Sequence, residues 1–206
     1  MKRLLIMICA AAAALSCTSL SPEEVDIVSL GIAPDDIVIG AGAGEDGVKV
    51  LSDRDYRTEI LSGGEWLSIG TVQRDSLSFS FSENKGFRRS AFVKVSTDGR
   101  EDVLQVKQEG VFHEKVSLSE HELSAPVEGL EGTVRLHTNM PSDVFRIECS
   151  HPASFKAFGL SDYVLRFHLL PTTNRDKRTY QIKVSCTDGW GEEVSDCLYI
   201  VQDAFE

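Results

Sequence analysis

The chain has 2 tryptophans, 3 methionines, 6 prolines and 5 cysteines in 206 residues. Its long apolar run is at the start, Leu4 to Leu15. A run of that length falls short of the ~20 residues that cross a hydrocarbon core, which excludes a spanning helix. Sustained 3.6-residue periodicity is missing too, so no helix longer than a turn is expected. The histidines (His113, His121, His137, His151, His168) are scattered, and the cysteines lack zinc-site spacing. No serine or cysteine stands in a nucleophile motif. Neither a metal, a cofactor nor a catalytic centre is therefore expected. Basic residues are in deficit: Lys+Arg 21 against Asp+Glu 32 gives a net charge of −11. That balance disfavours nucleic acid and anionic headgroups as partners of the whole molecule. Gly42-Ala-Gly-Glu-Asp-Gly47 spells G-x-G-x-x-G, but a strand follows it where a dinucleotide site needs a helix. Glu45 and Asp46 would also repel phosphate.

What is present at the amino terminus is a leader. Lys2 and Arg3 precede the apolar run, and small residues lead to Ser16–Cys17, the layout of a secretory signal. Ala14-Leu15-Ser16-Cys17 resembles the lipobox of bacterial lipoproteins, although leucine stands two positions before the cysteine instead of three. The expectation is a signal peptide over 1–16 and lipidation of Cys17, with an acidic tether over 17–25. The alternative is an ordinary signal cut near Ser16. Two or three acyl chains would anchor the protein at a membrane without spanning it. Glu23, Glu24 and Asp26 resemble the export signal of surface lipoproteins in Bacteroidetes-type bacteria, which implies outer-membrane, outward-facing display. A plain solvated tether would read the same. Losing Lys2 and Arg3 with the leader moves the charge from −11 to −13.

The rest of the chain says one thing twice. "NKGFRRSAFVKVSTDG" over 84–99 returns as "NRDKRTYQIKVSCTDG" over 174–189. Around both echoes the apolar residues alternate with period two, the mark of a half-buried strand. Leu77-Ser-Phe-Ser-Phe, Phe92-Val-Lys-Val and Val103-Leu-Gln-Val show it in the first copy. Val164-Leu-Arg-Phe-His-Leu, Gln181-Ile-Lys-Val and Leu198-Tyr-Ile-Val show it in the second. Each copy offers six or seven short strands joined by turn residues. The expected fold is all-β: two tandem immunoglobulin-like antiparallel β-sandwiches, over 26–110 and 111–206. Gln108 and Gln202 close the last strands at matching places.

In the first copy Glu65-Trp-Leu-Ser-Ile, an asparagine turn, Arg88–Arg89, Val93-Lys-Val-Ser and Val106-Lys-Gln-Glu-Gly follow in order. That series resembles the BACON domain (Bacteroidetes-associated carbohydrate-binding, often N-terminal). The second copy keeps Asn174, Arg178, the Ile182–Ser185 strand and Gln202. It has Val144–Phe145 in the neighbourhood of the tryptophan signature and ends Gln-Asp-Ala. The resemblance implies a small sandwich of surface or secreted proteins, often beside glycan-degrading enzymes, that binds carbohydrate or spaces its neighbours. It implies no particular binding residue.

Sugar recognition needs exposed aromatic faces beside polar groups. Trp190, flanked by glycines in a polar hairpin tip, is the first candidate, and packing on its own or the neighbouring domain is the competing reading. Phe155, Phe158 and Phe87 are further candidates, with core packing the alternative for the first two. Cys149, Cys186 and Cys197 remain after Cys9 and Cys17 are set aside. Cys186 and Cys197 flank one turn, so a disulfide across the hairpin is expected if the register allows it. Partners expected on these grounds are a carbohydrate or an envelope protein, with the membrane reached by the lipid alone. The competing role is a structural spacer or protein-interaction subunit with no sugar binding, held by a stiff junction over Glu109–Glu114.

Overall fold

The structure is a computed structural model that describes residues 29–206. Cys17 and the expected leader and acidic tether lie outside the described residues. The first eight strands are β1 (Leu30–Ala33), β2 (Asp36–Ile39), β3 (Gly44–Ser52), β4 (Arg57–Ser62), β5 (Leu67–Gln73), β6 (Ser76–Phe81), β7 (Arg89–Thr97) and β8 (Arg100–Gln108). The next eight are β9 (Val116–Leu118), β10 (Glu122–Ala125), β11 (Leu130–Thr138), β12 (Arg146–Cys149), β13 (Phe155–Ser161), β14 (Val164–Leu169), β15 (Arg178–Thr187) and β16 (Glu193–Gln202).

They form four sheets, β1-β3-β6-β5 and β2-β8-β7-β4, then β9-β11-β14-β13 and β10-β16-β15-β12. Adding eight to each number converts the first pair of sheets into the second, so the chain is one sandwich built twice. All pairs are antiparallel except β2 with β8 and β10 with β16. Each copy has eight strands, more than the alternation alone revealed. The short β1, β2, β9 and β10 hold too few residues for a period to show, and a bulge interrupts each of β5 and β13.

Alternation explains the two cores. Inward positions of β6, β7 and β8 supply Leu77, Phe79, Ala91, Val93, Val95, Leu104 and Val106 to the first. Leu165, Phe167, Tyr180, Ile182, Val184, Leu198 and Ile200 do so in the second. Burying such side chains stabilises each sandwich by about 1.5–3 kcal/mol per large residue.

Two polar devices recur. Gln108 is fully buried, and its Nε2 reaches the carbonyls of Gly40, Gly42 and Ser82 at 3.2, 3.4 and 3.0 Å. Gln202 Nε2 reaches the carbonyls of Pro126, Val127 and Leu170 at 3.3, 3.4 and 3.0 Å. Each glutamine thus ties the loops after the second and sixth strands of its sandwich to the last strand. Six residues earlier, Asp102 Oδ2 accepts the Ile32 amide at 2.9 Å and Asp196 Oδ2 the Leu118 amide at 2.7 Å. Each aspartate therefore clips the first strand of one sheet to the last strand of the other. The sequence reading found the glutamines and missed the aspartates, although Asp-x5-Gln stands in both copies.

Candidate functional site at the junction of the sandwiches

The hairpin between β15 and β16 decides what Trp190 does. Asp188 Oδ1 accepts the amides of Trp190 and Glu192 at 2.9 and 2.8 Å, which folds the tip around its own carboxylate. The folded tip lies against the first sandwich. Trp190 Nε1 donates to the carbonyl of Gln108 at 3.2 Å, and the Arg88 guanidinium carbon sits 4.2 Å from the ring centroid. Ser90 Oγ donates to the Gly189 carbonyl at 2.8 Å, and Gln105 Nε2 approaches the Trp190 carbonyl at 3.4 Å. Both the ring edge and a ring face are engaged. Trp190 packs on the neighbouring domain, the competing expectation for it, and remains half-buried with one ring face and its N–H engaged.

Arg88 is the centre of this clasp. Its Nη1 lies 3.1 Å from Asp188 Oδ2, and the Asp188 side chain is 1% exposed. Glu114, Glu192 and Glu109 approach the same guanidinium at 3.7, 3.8 and 4.0 Å. A planar, always charged fork among carboxylates from both sandwiches and their connection suits arginine better than lysine. The Arg88 Nε and Glu109 Oε2 are buried without a hydrogen bond, so the junction holds through charge and packing more than through ideal geometry.

Two glycines make the contact sterically feasible. A Cβ on Gly189 would fall 1.8 Å from the Arg88 carbonyl oxygen, and one on Gly110 2.4 Å from that of Gly86. Gly110, the last residue of the Val-x-Gln-x-Gly signature, is therefore glycine because the connecting segment presses against the β7 approach. Phe87 belongs to this arrangement as well. It is half-buried, bridges to Phe112 and places its ring 6.1 Å from that of Phe112, packing on the connection between the domains.

The remaining sequence candidates separate. Phe155 is buried, its ring edge-on to those of Phe158, Phe167 and Tyr180; it is a core residue. Phe158 is half-buried against the same core and lines an open recess beside β13. The expected disulfide is corrected: Cys149, Cys186 and Cys197 are free. Cys186 pairs with Val194 and Cys197 with Lys183, three rungs apart. Cys186 shares the inward face of Tyr180, Ile182 and Val184, so Cys197 points out of the opposite face. Burial raises the Cys186 thiol above its ordinary value, and Glu114 and Asp188 add to the effect.

The tryptophan signature of the first copy has its counterpart elsewhere than Val144–Phe145. The Ser82 amide bonds the Trp66 carbonyl at 2.9 Å, as the Leu170 amide bonds the Ser154 carbonyl at 2.9 Å. Ser154–Phe155 therefore stands where Trp66–Leu67 does. By the same logic Asn84, whose amide bonds the Ala41 carbonyl, matches Thr172, whose amide bonds that of Val127, so Asn174 is not its counterpart.

Residues 57–109, β4 through the end of β8, match the BACON family model, described as "Putative binding domain, N-terminal". The match lies within the first sandwich and covers about a quarter of the chain. Within the matched segment, Trp66, Gln108 and the Arg89 that bonds Gln108 Oε1 at 2.9 Å are structural. No curated protein matches the chain. Solved structures with a similar arrangement include an endo-fucoidan hydrolase from glycoside hydrolase family 107. The likeness covers 86% of this chain and 29% of that one, at 12% identity and a TM-score of 0.35. They also include titin domains I67–I69 (85% and 65%, 8% identity, TM-score 0.35) and a chimeric titin Z1Z2 tandem (85% and 100%, 12% identity, TM-score 0.44). At these scores nothing about activity or ligand is carried over.

Proposed function

We infer that the protein is a non-catalytic lipoprotein of the outer membrane, anchored through Cys17, whose two sandwiches act as one stiff unit. Its role is to hold the second sandwich at a fixed distance and orientation from the membrane. The observation that carries this reading is the clasp. The side chain best suited to a loop-borne sugar site is spent on fixing the domain angle, with a guanidinium, a buried carboxylate and a glycine contact assembled around it. A flexible pair of modules has no use for a buried ion pair at its joint, since relative motion is the default when such an interface is absent.

Small-angle scattering on the full chain in mild detergent tests the stiffness. The unaltered protein is expected to fit a single conformation, and Gly189→Asp a distribution of domain angles with a larger radius of gyration. A distribution of angles in the unaltered protein overturns the stiff-unit reading, and a single narrow conformation in both proteins overturns the clasp as its cause. Cys17→Ala tests the anchor: release of the protein from the membrane fraction is expected, and retention refutes lipidation at that residue.

The BACON match also supports carbohydrate binding. A glycan that used Trp190 would meet a half-buried ring with one face and its N–H already engaged, which favours a site elsewhere on the molecule.

A further inference from the structure

Outward lysines on the sheets that carry the last strands are answered by carboxylates. Lys94 meets Glu59 at 2.7 Å, Lys107 meets Asp36 at 2.9 Å, and Lys183 meets Glu193 at 2.6 Å and Glu148 at 3.7 Å. The outer face of β9-β11-β14-β13 is built differently. Its cross-strand rows read Glu131–His168–Ala157, Thr133–Arg166–Gly159 and Arg135–Val164–Ser161. Lys156 stands at the β13 bulge, and His137 follows Arg135 on the same face of β11. Arg135 and Lys156 have no carboxylate partner among the described residues. Arg166 spends its guanidinium on the Ser161 carbonyl and hydroxyl, at 3.3 and 2.8 Å. Acids near these groups include Glu131 within the rows, Asp162 at the β13–β14 turn and Glu120, which follows the Ser119 that bonds the Arg135 backbone.

The matching face of the first sandwich shows that this is no requirement of the fold. There the corresponding pairs are Glu45–Ser80, Gly47–Ser78 and Lys49–Ser76. Serines occupy the β6 positions where β14 has His168 and Arg166. Arg135 and Arg166 are diagonal neighbours, an arrangement that costs stability when the charges are alike. In a chain of net charge −11 this face is locally positive.

The same face is concave. An open recess of about 530 Å³ lies over it, lined by Lys156, Ala157, Gly159, Arg166, His168 and Glu131 among others. Small residues form its floor, Lys156 and Arg166 outnumber Glu131 at its rim, and Arg135 stands just beyond it, one row along from Arg166. A flat ring can lie on Ala157 and Gly159, with a carboxylate held at the arginines in the geometry that a guanidinium fork favours. Duplex nucleic acid and anionic bilayers extend well past the patch onto acidic surface that repels them. A polysaccharide one ring wide does not.

We propose that the outer face of β11, β14 and β13 binds an acidic polysaccharide, with Arg166 and Lys156 meeting its carboxylates over the Ala157–Gly159 floor and Arg135 meeting the next one along the chain. This goes beyond the anchored-unit reading and does not depend on it, since the face exists whether or not the chain is lipidated or the clasp is rigid.

The test is affinity electrophoresis and calorimetry of the full chain with polygalacturonate, using fully methyl-esterified polygalacturonate as the same backbone without charge. Binding of the acid form is expected, weakening as salt is raised and absent for the ester. Arg135→Glu with Arg166→Glu is expected to weaken it by about ten-fold or more, the scale of one lost charge-assisted contact. Both side chains are exposed, so folding is retained, and an unchanged thermal transition verifies it. Lys49→Glu, at the corresponding place in the first sandwich, is expected to leave binding as it was. Equal binding of the ester, indifference to the double variant, or no binding of polygalacturonate overturns the proposal. So does tighter retention of duplex DNA or of anionic vesicles.

Discussion

The two sandwiches share a strand order and solve the same packing problem in opposite ways. In the first, Trp66 fills the space between the sheets, and the facing strand offers Ala91. In the second, the place of Trp66 is taken by Ser154, and the place of Ala91 by Tyr180. The aromatic volume has crossed from one sheet to the other. The polar partner moves with it: Gln108 Oε1 accepts from Arg89 Nε at 2.9 Å, and Gln202 Oε1 from the Tyr180 hydroxyl at 3.1 Å. Arg89, with its guanidinium 4.4 Å from the Trp66 ring centroid, completes the first solution. His151, edge-on to Tyr180 at 5.7 Å, completes the second. What the fold demands is a filled space and a satisfied glutamine. It does not demand a particular residue at a particular place, which is why the second copy looks divergent in sequence and is equivalent in structure.

Exchanging the two solutions breaks the comparison most severely. Trp66→Ser alone should cost about 3–5 kcal/mol, as a large core truncation does, and Ala91→Tyr alone should overpack the same space. Together they should recover part of the loss, with a coupling of about 1–3 kcal/mol in a double-mutant cycle by denaturant unfolding. Strict additivity would show that the two sites do not share one volume.

The next largest effect separates the copies at the junction. Arg88 is matched in the second sandwich by Lys177, which makes an exposed pair with Asp203 at 2.9 Å. Arg88→Ala leaves the Asp188 carboxylate buried without its cation, at a cost of about 3 kcal/mol or somewhat less given the partial exposure of Arg88. Lys177→Ala should cost under about 1 kcal/mol. Thermal melts of the two variants give the contrast directly, and equal shifts would dissolve the distinction.

Gln108→Leu and Gln202→Leu should behave alike. Each strands three carbonyls and should lose about 1–3 kcal/mol. A loss confined to one copy would mean that the two glutamines are not equivalent.

The two Thr-Asp-Gly turns differ more subtly. Gly99 has φ +95 with open space around it, whereas Gly189 is glycine because of the Arg88 backbone. Gly99→Ala should cost about 1 kcal/mol from backbone strain and leave the domain angle untouched. Its scattering profile should overlay that of the unaltered chain, unlike Gly189→Asp.

The smallest effect concerns pH. Burial works against ionisation of Asp196, but the Leu118 and Cys197 amides and His121 outweigh it and hold its carboxyl below the ordinary carboxylate value. A depressed carboxyl contributes stability above its unfolded value of about 3.9 and loses it as pH falls through the folded one. Asp196→Asn should therefore flatten the acid limb of stability below about pH 4, with little change at neutral pH in how stability varies.

Much of the fold was legible because alternation is a local property. Leu77 to Phe81 and Val164 to Leu169 announce strands whatever surrounds them, and a 16-residue echo announces a repeat. The eight-strand count was not legible, since β1, β2, β9 and β10 are too short to show a period and are held by partners far away in sequence. The candidate site fared less well. Trp190 was singled out correctly as unusual, a tryptophan between glycines, but local sequence does not say which surface covers it. Cys186 and Cys197 looked apposed because a hairpin joins them. Register, set by pairing along all of β15 and β16, put them three rungs apart on opposite faces. The basic face was invisible for the same reason: Arg135, Lys156 and Arg166 are separated in the chain and become neighbours only through pairing.

The sequence by itself determined that this is a twice-repeated all-β chain, because side-chain alternation is read within a few residues. Tertiary structure alone decided that Trp190 serves the junction, that Ser154 with Tyr180 replaces Trp66 with Ala91, and that one sheet face is positive. Those outcomes depend on which side chains share a volume or a surface, and that follows from long-range pairing and close packing, quantities that no local pattern encodes.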